Sequence, residues 1–138
     1  MHCARPARLA APGVTPIEAE RLRGPRAATV RPALASADRL HVPEHFHVEV
    51  LSALRGRLLR GELHAERAQL AIDRLGLLRV QRHRLLSVRQ EIWSLREHLN
   101  VYDAAYLAVA RHLDCAVVTL DGGLAAAARG EGRLARGL

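Results

Sequence analysis

The chain has 138 residues, a length that fits one domain whose hydrophobic core needs neither disulfides nor a structural metal. Its formal net charge is +7 and all 21 basic residues are arginines, which favours a polyanionic partner but is equally typical of a GC-rich coding sequence. No run reaches the roughly 18 apolar residues of a membrane helix. Prolines interrupt any apolar core of a signal peptide near the N-terminus. The two cysteines lie far apart in the sequence, which indicates a reducing, cytoplasmic setting.

Residues 1–36 differ in composition from the rest of the chain. Five of the six prolines lie between Pro6 and Pro32, mixed with Ala and Arg and without a sustained apolar period. Because proline lacks an amide donor and fixes its backbone, neither a long helix nor a central strand is expected there. We predict an irregular or poorly ordered segment with at most a short helix around Pro16 to Arg23. Residues 37–138 are predicted to form the domain proper.

From Ala37 onward, apolar spacing predicts strands that alternate with helices. The alternation predicts an α/β fold with a mainly parallel sheet and helices on its faces, and ligands bind such sheets at the carboxyl ends of the strands. In chain order we expect a strand at 40–43, helices at 44–59 and 65–75, a strand at 77–80, helices at 85–99 and 102–113, a strand at 116–120, a helix at 124–129 and a tail that frays or forms one last strand.

Three carboxylates stand at the ends or edges of these elements. Glu49 borders an apolar helix face, Asp103 follows the N-cap candidate Asn100, and Asp121 ends the clearest strand. Each has an ordinary explanation, since Glu49 could be a solvated helix residue and the two aspartates could stabilise helix N-termini. Together, their hard oxygens are the ligands that Mg²⁺ or Mn²⁺ prefers when it holds a phosphodiester.

The segments around these carboxylates resemble the PIN-domain ribonucleases of the VapC type, the toxins of VapBC toxin–antitoxin modules. The resemblance covers about two thirds of the chain, from Ala37 to Ala128, and rests on three stretches: Pro43-Glu-His-Phe-His-Val-Glu-Val-Leu-Ser-Ala-Leu, Tyr102-Asp-Ala-Ala-Tyr-Leu-Ala, and Val118-Thr-Leu-Asp with Leu124-Ala following. It implies a PIN-like three-layer fold in which helices flank a mainly parallel central sheet.

The resemblance also implies an activity, a cofactor and partners. The activity is hydrolysis of RNA phosphodiester bonds by a Mg²⁺- or Mn²⁺-dependent endoribonuclease that leaves 5′-phosphate and 3′-hydroxyl ends. Glu49, Asp103 and Asp121 would be three of four acidic metal ligands. Thr119 would orient a ligand or a water, although a β-branched strand residue explains it equally well. The implied partners are the RNA substrate, a cognate VapB-type antitoxin and a second copy in a homodimer, with no membrane.

The fourth acid of the family is missing from this sequence. PIN toxins open with an apolar strand that ends in Asp, whereas residues 1–36 contain no Asp and only two acids, Glu18 and Glu20. We therefore expect a sheet that lacks the normal first strand. One hypothesis is that residues up to about 30 derive from a displaced start or another reading frame, which translation of the other two frames tests. The alternative function is a catalytically impaired PIN-like protein that retains only antitoxin, dimer or RNA binding.

Two further groups of residues near the second predicted element have less specific patterns. His41, His45 and His47 could form a zinc site, but no Cys or other His stands at supporting spacing, which favours ordinary or partly buried histidines. Arg55, Arg57 and Arg60 form either a ridge that contacts RNA phosphate or a solvated helix face.

Overall fold

The computed structural model describes residues 8–10, 25–35, 39–135 and 138. The described elements, in chain order, are β1 (Arg8–Ala10), α1 (Pro25–Ala35), β2 (Leu40–Pro43), α2 (Phe46–Leu59), α3 (Ala65–Gly76), β3 (Val80–His83), a 3₁₀ turn (Leu86–Val88), α4 (Arg89–Ser94), α5 (Val101–Leu113), β4 (Ala116–Val118) and α6 (Gly122–Gly130). Among these helices, none has the length and apolarity that a membrane span requires.

The four described strands form one sheet in the order β3-β2-β1-β4, and every neighbouring pair is parallel. After α6 the chain returns to the sheet, where the amide of Ala135 donates to the carbonyl of Val117 at 2.9 Å. Parallel neighbours need crossover connections, which the helices between successive strands supply. The α/β fold with a parallel sheet flanked by helices is therefore confirmed, and it directs the carboxyl ends of the strands to one edge.

The expectation that the sheet lacks its first strand is wrong for the described residues. β1 lies between β2 and β4, with Leu9 in register with His41 on one side and with Val117 on the other. These three residues contain no proline, so each can supply a ladder donor. A strand paired on both sides is stabilised by its neighbours more than by its own composition.

The helix α1 also falls in the segment that was expected to be irregular. Pro25 starts it, where a missing amide donor costs nothing, and Pro32 lies inside it. The short helix predicted around Pro16 to Arg23 lies outside the described residues. A division of the chain between residues 36 and 37 stays a prediction, but described residues before that point pair and pack with residues after it.

Alternating side chains of β4 show that both faces of the sheet are covered. Val117 lies in the main core, whereas Val118 packs in a smaller cluster with Val30 and Ala33 of α1. Successive strand side chains point to opposite faces, so α1 covers the face opposite the main core. The main core includes Phe46, Val50 and Leu54 of α2 and all seven buried residues of α5, which are residues 104–110.

Two predicted elements have different bounds in the structure. The strand expected at 77–80 lies at 80–83, because Leu77 and Leu78 still donate to the last carbonyls of α3 before the chain pairs with β2. The helix expected at 85–99 is broken into the 3₁₀ turn and α4, which ends at Ser94. After Ser94 the amides of Leu95 and His98 donate three residues back, which makes tight turns rather than an α-helix.

An ion-pair network joins the end of α5 to two other elements. Arg111 donates through Nε to Glu131 Oε2 at 3.0 Å, and its Nη1 lies 3.2 Å from Glu91 Oε1. The hydrogen bond from Arg111 is the largest cause that lowers the pKa of Glu131. Because the folded state favours ionised Glu131, the interaction with Arg111 stabilises the fold above the ordinary Glu pKa of 4.5. This stabilisation is lost as the pH falls through the lower pKa of the folded state.

We expect Arg111→Met to lower the melting temperature at pH 7 by about 3 °C, since methionine keeps the apolar stem and removes the charge. The difference from the unchanged protein should shrink as the pH falls through the lowered pKa of Glu131. Thermal melts followed by circular dichroism between pH 3 and pH 7 measure both effects. Arg96→Met, which removes a more exposed partner of Glu97, is the control, and an equal loss for both variants would contradict the role of the network.

Candidate active site

Three carboxylates reach the carboxyl edge of the sheet from three helix N-termini. Glu49 lies in the first turn of α2, Asp103 lies in the first turn of α5, and Asp121 is the N-cap of α6. The first turn of a helix has backbone amides without intrahelical acceptors, so each acid lies beside free amide donors. Glu49 and Asp103 are partly buried and Asp121 is exposed.

Two of these acids also perform the capping roles considered from the sequence. The amide of Asp103 donates to Asn100 Oδ1 at 2.9 Å, and Asn100 Nδ2 donates back to Asp103 Oδ2 at 2.6 Å. The amide of Leu124 donates to Asp121 Oδ1 at 2.9 Å. These hydrogen bonds fix the position of both carboxylates, and each carboxylate oxygen retains further lone pairs for a ligand.

The electrostatics of Asp103 show that the three acids share one region. Burial is the largest cause that raises the pKa of Asp103, the charge of Asp121 is the next, and the charge of Glu49 raises it further. The hydrogen bond from Asn100 and the charge of His45 act in the opposite direction. The folded chain therefore holds like charges against one another, a cost that a bound cation would remove.

Glu49 is held by two side chains that the sequence did not assign to this site. His45 Nε2 lies 2.6 Å from Glu49 Oε1, and the hydroxyl of Tyr106 donates to Glu49 Oε2 at 3.4 Å. The His45 ring also packs against Tyr102 and Tyr106, with centroid distances of 5.6 and 5.5 Å. The sequence did contain the signal, because His45 precedes Glu49 by four residues and so lies on the same side of the helix start.

Thr119 is buried and orders the backbone that carries Asp121. Its hydroxyl oxygen accepts a hydrogen bond from the Asp121 amide at 3.0 Å, and the side chain is 2% exposed. Thr119 thus orients Asp121 through the main chain. Its expected action on a bound ligand or water stays a prediction.

The strand β1 brings no acid to this edge among its described residues. It ends at Ala10, which is in register with Val118 of β4. Over the residues that the structure describes, no three Asp, Glu, His or Cys side chains converge closely enough to enclose an ion. The donor chemistry nevertheless fits a hard dication, because the ligands on offer are carboxylate oxygens whose negative charges repel one another.

An open groove of about 740 Å³ runs from the carboxylates along α2. At one end it is lined by Glu49 and Asp103, and at the other by Arg57 and Arg60. Arg60 Nε lies 2.7 Å from Glu62 Oε1, so the basic end is partly neutralised. The groove therefore has an acidic end and a basic end, and small residues, which include Ser52, Ala53 and Gly56, line it between them.

The other histidines of the predicted cluster lie away from Glu49. His41 Nδ1 lies 2.8 Å from His83 Nε2, and the His47 ring packs edge-on against Phe46. Burial is the largest cause that lowers the pKa of both His41 and His47, as expected for partly buried histidines. The three histidines therefore do not converge on one point.

Comparison with known proteins identifies relatives that share both sequence and fold. Residues 17–130 match the family model described as PIN domain. Ribonuclease VapC9 of Mycobacterium tuberculosis is 39% identical over 88 residues, which cover 64% of this chain and 69% of that protein. Ribonuclease VapC3 of the same organism is 39% identical over 103 residues and 74% of each chain. The crystal structure of Mycobacterium tuberculosis VapC20, described as a Sarcin-Ricin loop cleaving toxin, has a TM-score of 0.66 at 16% identity and covers 88% of this chain and 95% of its own.

Proposed function

The chain belongs to the PIN-domain family and within it to the VapC ribonucleases, and from this membership we propose that it is the toxin of a type II toxin–antitoxin module that hydrolyses RNA phosphodiester bonds. The observation that supports the proposal most directly is the grouping of Glu49, Asp103 and Asp121 at the carboxyl edge of the parallel sheet. A site at this edge is where folds of this class bind ligands.

We propose that Glu49, Asp103 and Asp121 hold Mg²⁺ or Mn²⁺. The bound cation would supply an activated water and would neutralise charge on the phosphate oxygens. The protein's own contribution is to fix the three carboxylates. Asn100 orients Asp103, the amide of Leu124 orients Asp121, and two side chains, His45 and Tyr106, hold Glu49.

The groove along α2 supports RNA as the substrate. Arg57 is eight residues after Glu49 on the same helix, which places it about 12 Å further along the helix axis at 1.5 Å per residue. Arg60 lies beyond it at the basic end of the groove. Guanidinium groups at this separation would contact phosphates of neighbouring nucleotides while the cleaved phosphate lies at the acids.

Incubation of the purified chain with short single-stranded RNA tests the proposal. We expect cleavage that stops in EDTA, returns when Mg²⁺ or Mn²⁺ is added in excess, and leaves 5′-phosphate and 3′-hydroxyl ends. Asp73→Asn is the matched control, because Asp73 is exposed on α3 and contacts Gln69 rather than the site. Cleavage that persists in EDTA, or products with 2′,3′-cyclic phosphate ends, would show that the proposed chemistry is wrong.

A second candidate is a catalytically impaired protein that binds antitoxin, RNA or its own second copy without cutting. The observation that favours it is the absence of a carboxylate from β1, which ends at Ala10, together with the lack of any Asp in residues 1–36. Fewer acids bind a dication more weakly, so this candidate predicts RNA binding with little or no cleavage. Robust Mg²⁺-dependent cleavage would exclude it.

The remaining parts of the proposal concern partners and location. We propose that a VapB-type antitoxin restrains the toxin, that the chain forms a homodimer, and that it acts in the cytoplasm. The relatives supply the support for the antitoxin, because they are named VapC ribonucleases. Co-purification with the neighbouring gene product and sedimentation of the isolated chain test the first two statements.

Thr119 provides a test of how Asp121 is oriented. We expect Thr119→Val to lower RNA cleavage about tenfold and to destabilise the fold by about 1 to 3 kcal/mol, because the partly buried Asp121 amide loses its acceptor. Thr119→Ser keeps the hydroxyl and should retain most of the cleavage. Initial rates and urea denaturation of the three proteins measure the effects. Equal activity of the valine and serine variants would leave Thr119 as an ordinary strand residue.

A further inference from the structure

We propose that the ring of Tyr102 is a platform on which one RNA base stacks beside the phosphodiester that is cleaved. The inference deepens the proposed function and rests on it, since it takes single-stranded RNA as the occupant of the groove. Two observations carry it. The Tyr102 ring is exposed in the groove next to the carboxylates, and arginines line the far end of the same groove.

Tyr102 is an aromatic side chain that the fold leaves open to solvent. The chain has one phenylalanine, one tryptophan and two tyrosines. Phe46 and Tyr106 are fully buried, whereas Tyr102 is 64% exposed. Trp93 is also exposed, but the guanidinium of Arg96 lies over its ring at 5.1 Å from the centroid. Of these four rings, all within the described part of the chain, Tyr102 is the one that lines the groove.

The ring of Tyr102 is held in place without being covered. It lies in the first turn of α5, immediately before Asp103, and it packs against the His45 ring with a centroid distance of 5.6 Å. His45 is itself fixed by Glu49, because its Nε2 lies 2.6 Å from Glu49 Oε1. A side chain whose rotation is already restricted loses less entropy when a ligand binds to it. The platform is therefore preorganised beside two of the acids.

One face of α2 and its C-cap leaves room for a strand between the platform and the arginines. The residues of this face that line the groove recur at helical spacing and include Glu49, Ser52, Ala53, Gly56, Arg57 and Arg60. At Gly56 an added β-carbon would lie 3.1 Å from Nη1 of Arg60, so a larger residue would crowd that guanidinium. The small residues therefore keep the middle of the groove open.

An exposed ring and guanidinium groups in one groove favour single-stranded nucleic acid over a protein segment. Bases of single strands stack on aromatic side chains, and the planar fork of arginine matches phosphate. The net charge of +7 adds a general attraction for a polyanion. Beside Glu49 and Asp103 a neutral base is repelled less than a further phosphate. The strand would therefore place a base on Tyr102 and its further phosphates towards Arg57 and Arg60.

Fluorescence anisotropy of a labelled single-stranded RNA in Mg²⁺ tests the platform apart from catalysis. Every protein compared carries Asp103→Asn, so that the RNA stays intact. We expect Tyr102→Ala to weaken RNA binding about tenfold, as the loss of one stacked base does, and Tyr102→Phe to bind within about twofold of the parent. Trp93→Ala removes the other exposed ring and is the matched control. No loss for Tyr102→Ala, or an equal loss for Trp93→Ala, would overturn the platform and leave the ring to a protein partner.

The emission of an indole at position 102 reports stacking directly. Trp93 is the only tryptophan of the chain, so the double variant Tyr102→Trp with Trp93→Phe moves the indole into the groove. Again in the Asp103→Asn background, we expect RNA to quench the emission of this double variant and to leave the emission of Trp93 in the parent unchanged. RNA binding without quenching at position 102 would contradict stacking on this ring.

Steady-state cleavage by chains that keep Asp103 separates base binding from an effect on the carboxylates. Because Tyr102 contacts His45, which contacts Glu49, a merely structural role would lower kcat. We expect Tyr102→Ala instead to raise KM about tenfold and to change kcat less than about threefold. A lower kcat at unchanged KM would rule out the platform while the ribonuclease function stands. Failure of the unchanged chain to bind RNA at all would overturn the proposed function, and the platform with it.

Discussion

Replacement of Asp103 by Asn is expected to lower the rate of RNA cleavage by about a hundredfold or more and to raise the melting temperature in metal-free buffer by about 2 °C. The loss of activity is expected because Asp103 is one of the proposed ligands of the cation, and a metal site contributes several kcal/mol of charge stabilisation in the transition state. Asparagine is nearly isosteric, and its amide oxygen can still accept the hydrogen bond from Asn100.

The sign of the stability change follows from the raised pKa of Asp103. An acid whose pKa is higher in the folded state than in the unfolded state favours folding when it is protonated, and this advantage is lost as the pH rises through the two values. At pH 7 the carboxylate is ionised and is repelled by Asp121 and Glu49. The neutral amide removes this repulsion, so stability without metal should increase while function is lost.

Initial rates of RNA cleavage measure the loss of activity, and thermal shift without and with Mn²⁺ measures the change in stability and in metal affinity. Excess Mn²⁺ should raise the melting temperature of the unchanged protein more than that of Asp103→Asn, because at equal concentration a ligand that binds more tightly stabilises the folded state more. Asp73→Asn on α3 should respond as the unchanged protein does. A metal-free Asp103→Asn protein that melts below the unchanged chain would show that the three acids do not repel one another as inferred.

Phe46→Ala is expected to destabilise the fold by about 3 to 5 kcal/mol, the range measured when a fully buried phenylalanine is truncated. Phe46 is the only phenylalanine of the chain, it is 0% exposed, and it starts the buried face of α2. The cavity would lie directly beside His45 and one turn from Glu49. Aromatic residues are scarce in this sequence, so the surrounding aliphatic side chains cannot easily fill the space.

Urea denaturation measures the loss of stability, and it also gives for each protein the slope of the unfolding free energy against urea concentration. Val48→Ala is the matched control, because Val48 lies on the same helix with 68% of its surface exposed and should change stability by less than about 0.5 kcal/mol. Similar losses for the two variants would mean that Phe46 does not pack in the core as described. A changed slope for Phe46→Ala would instead indicate a less compact native or denatured state.

The parts of the fold that could be predicted are the elements in which a regular spacing of apolar residues continues over many residues. The helix α5 has seven consecutive buried residues, and α2 buries Phe46, Val50 and Leu54 at a spacing of four, so both were expected within two residues of their bounds. The strand before Asp121 was equally clear. Because Asp103 and Asp121 follow directly from these elements, their arrival at one sheet edge could be expected from the order of strands and helices alone.

The strand β1 could not be predicted, because nothing in Arg8–Ala10 is typical of a strand. Three residues give too short a pattern, and the pairing partners that stabilise them are supplied by β2 and β4 far along the chain. His45 was missed for a different reason. The sequence showed it as one of three neighbouring histidines, and its four-residue spacing from Glu49 was not used; in the structure its contact with Glu49 and its packing against Tyr102 and Tyr106 distinguish it from the other two.

The central position of β1 has a consequence for synthesis of the protein. Arg8 pairs with Ala116, more than a hundred residues later, so the sheet closes only when the last quarter of the chain has been translated. Contacts between such distant residues form late and slow the folding of the whole domain. Asp121 belongs to the same late segment. Most of this chain therefore leaves the ribosome before the three carboxylates of the proposed site can come together, because Asp121 is made after Glu49 and Asp103.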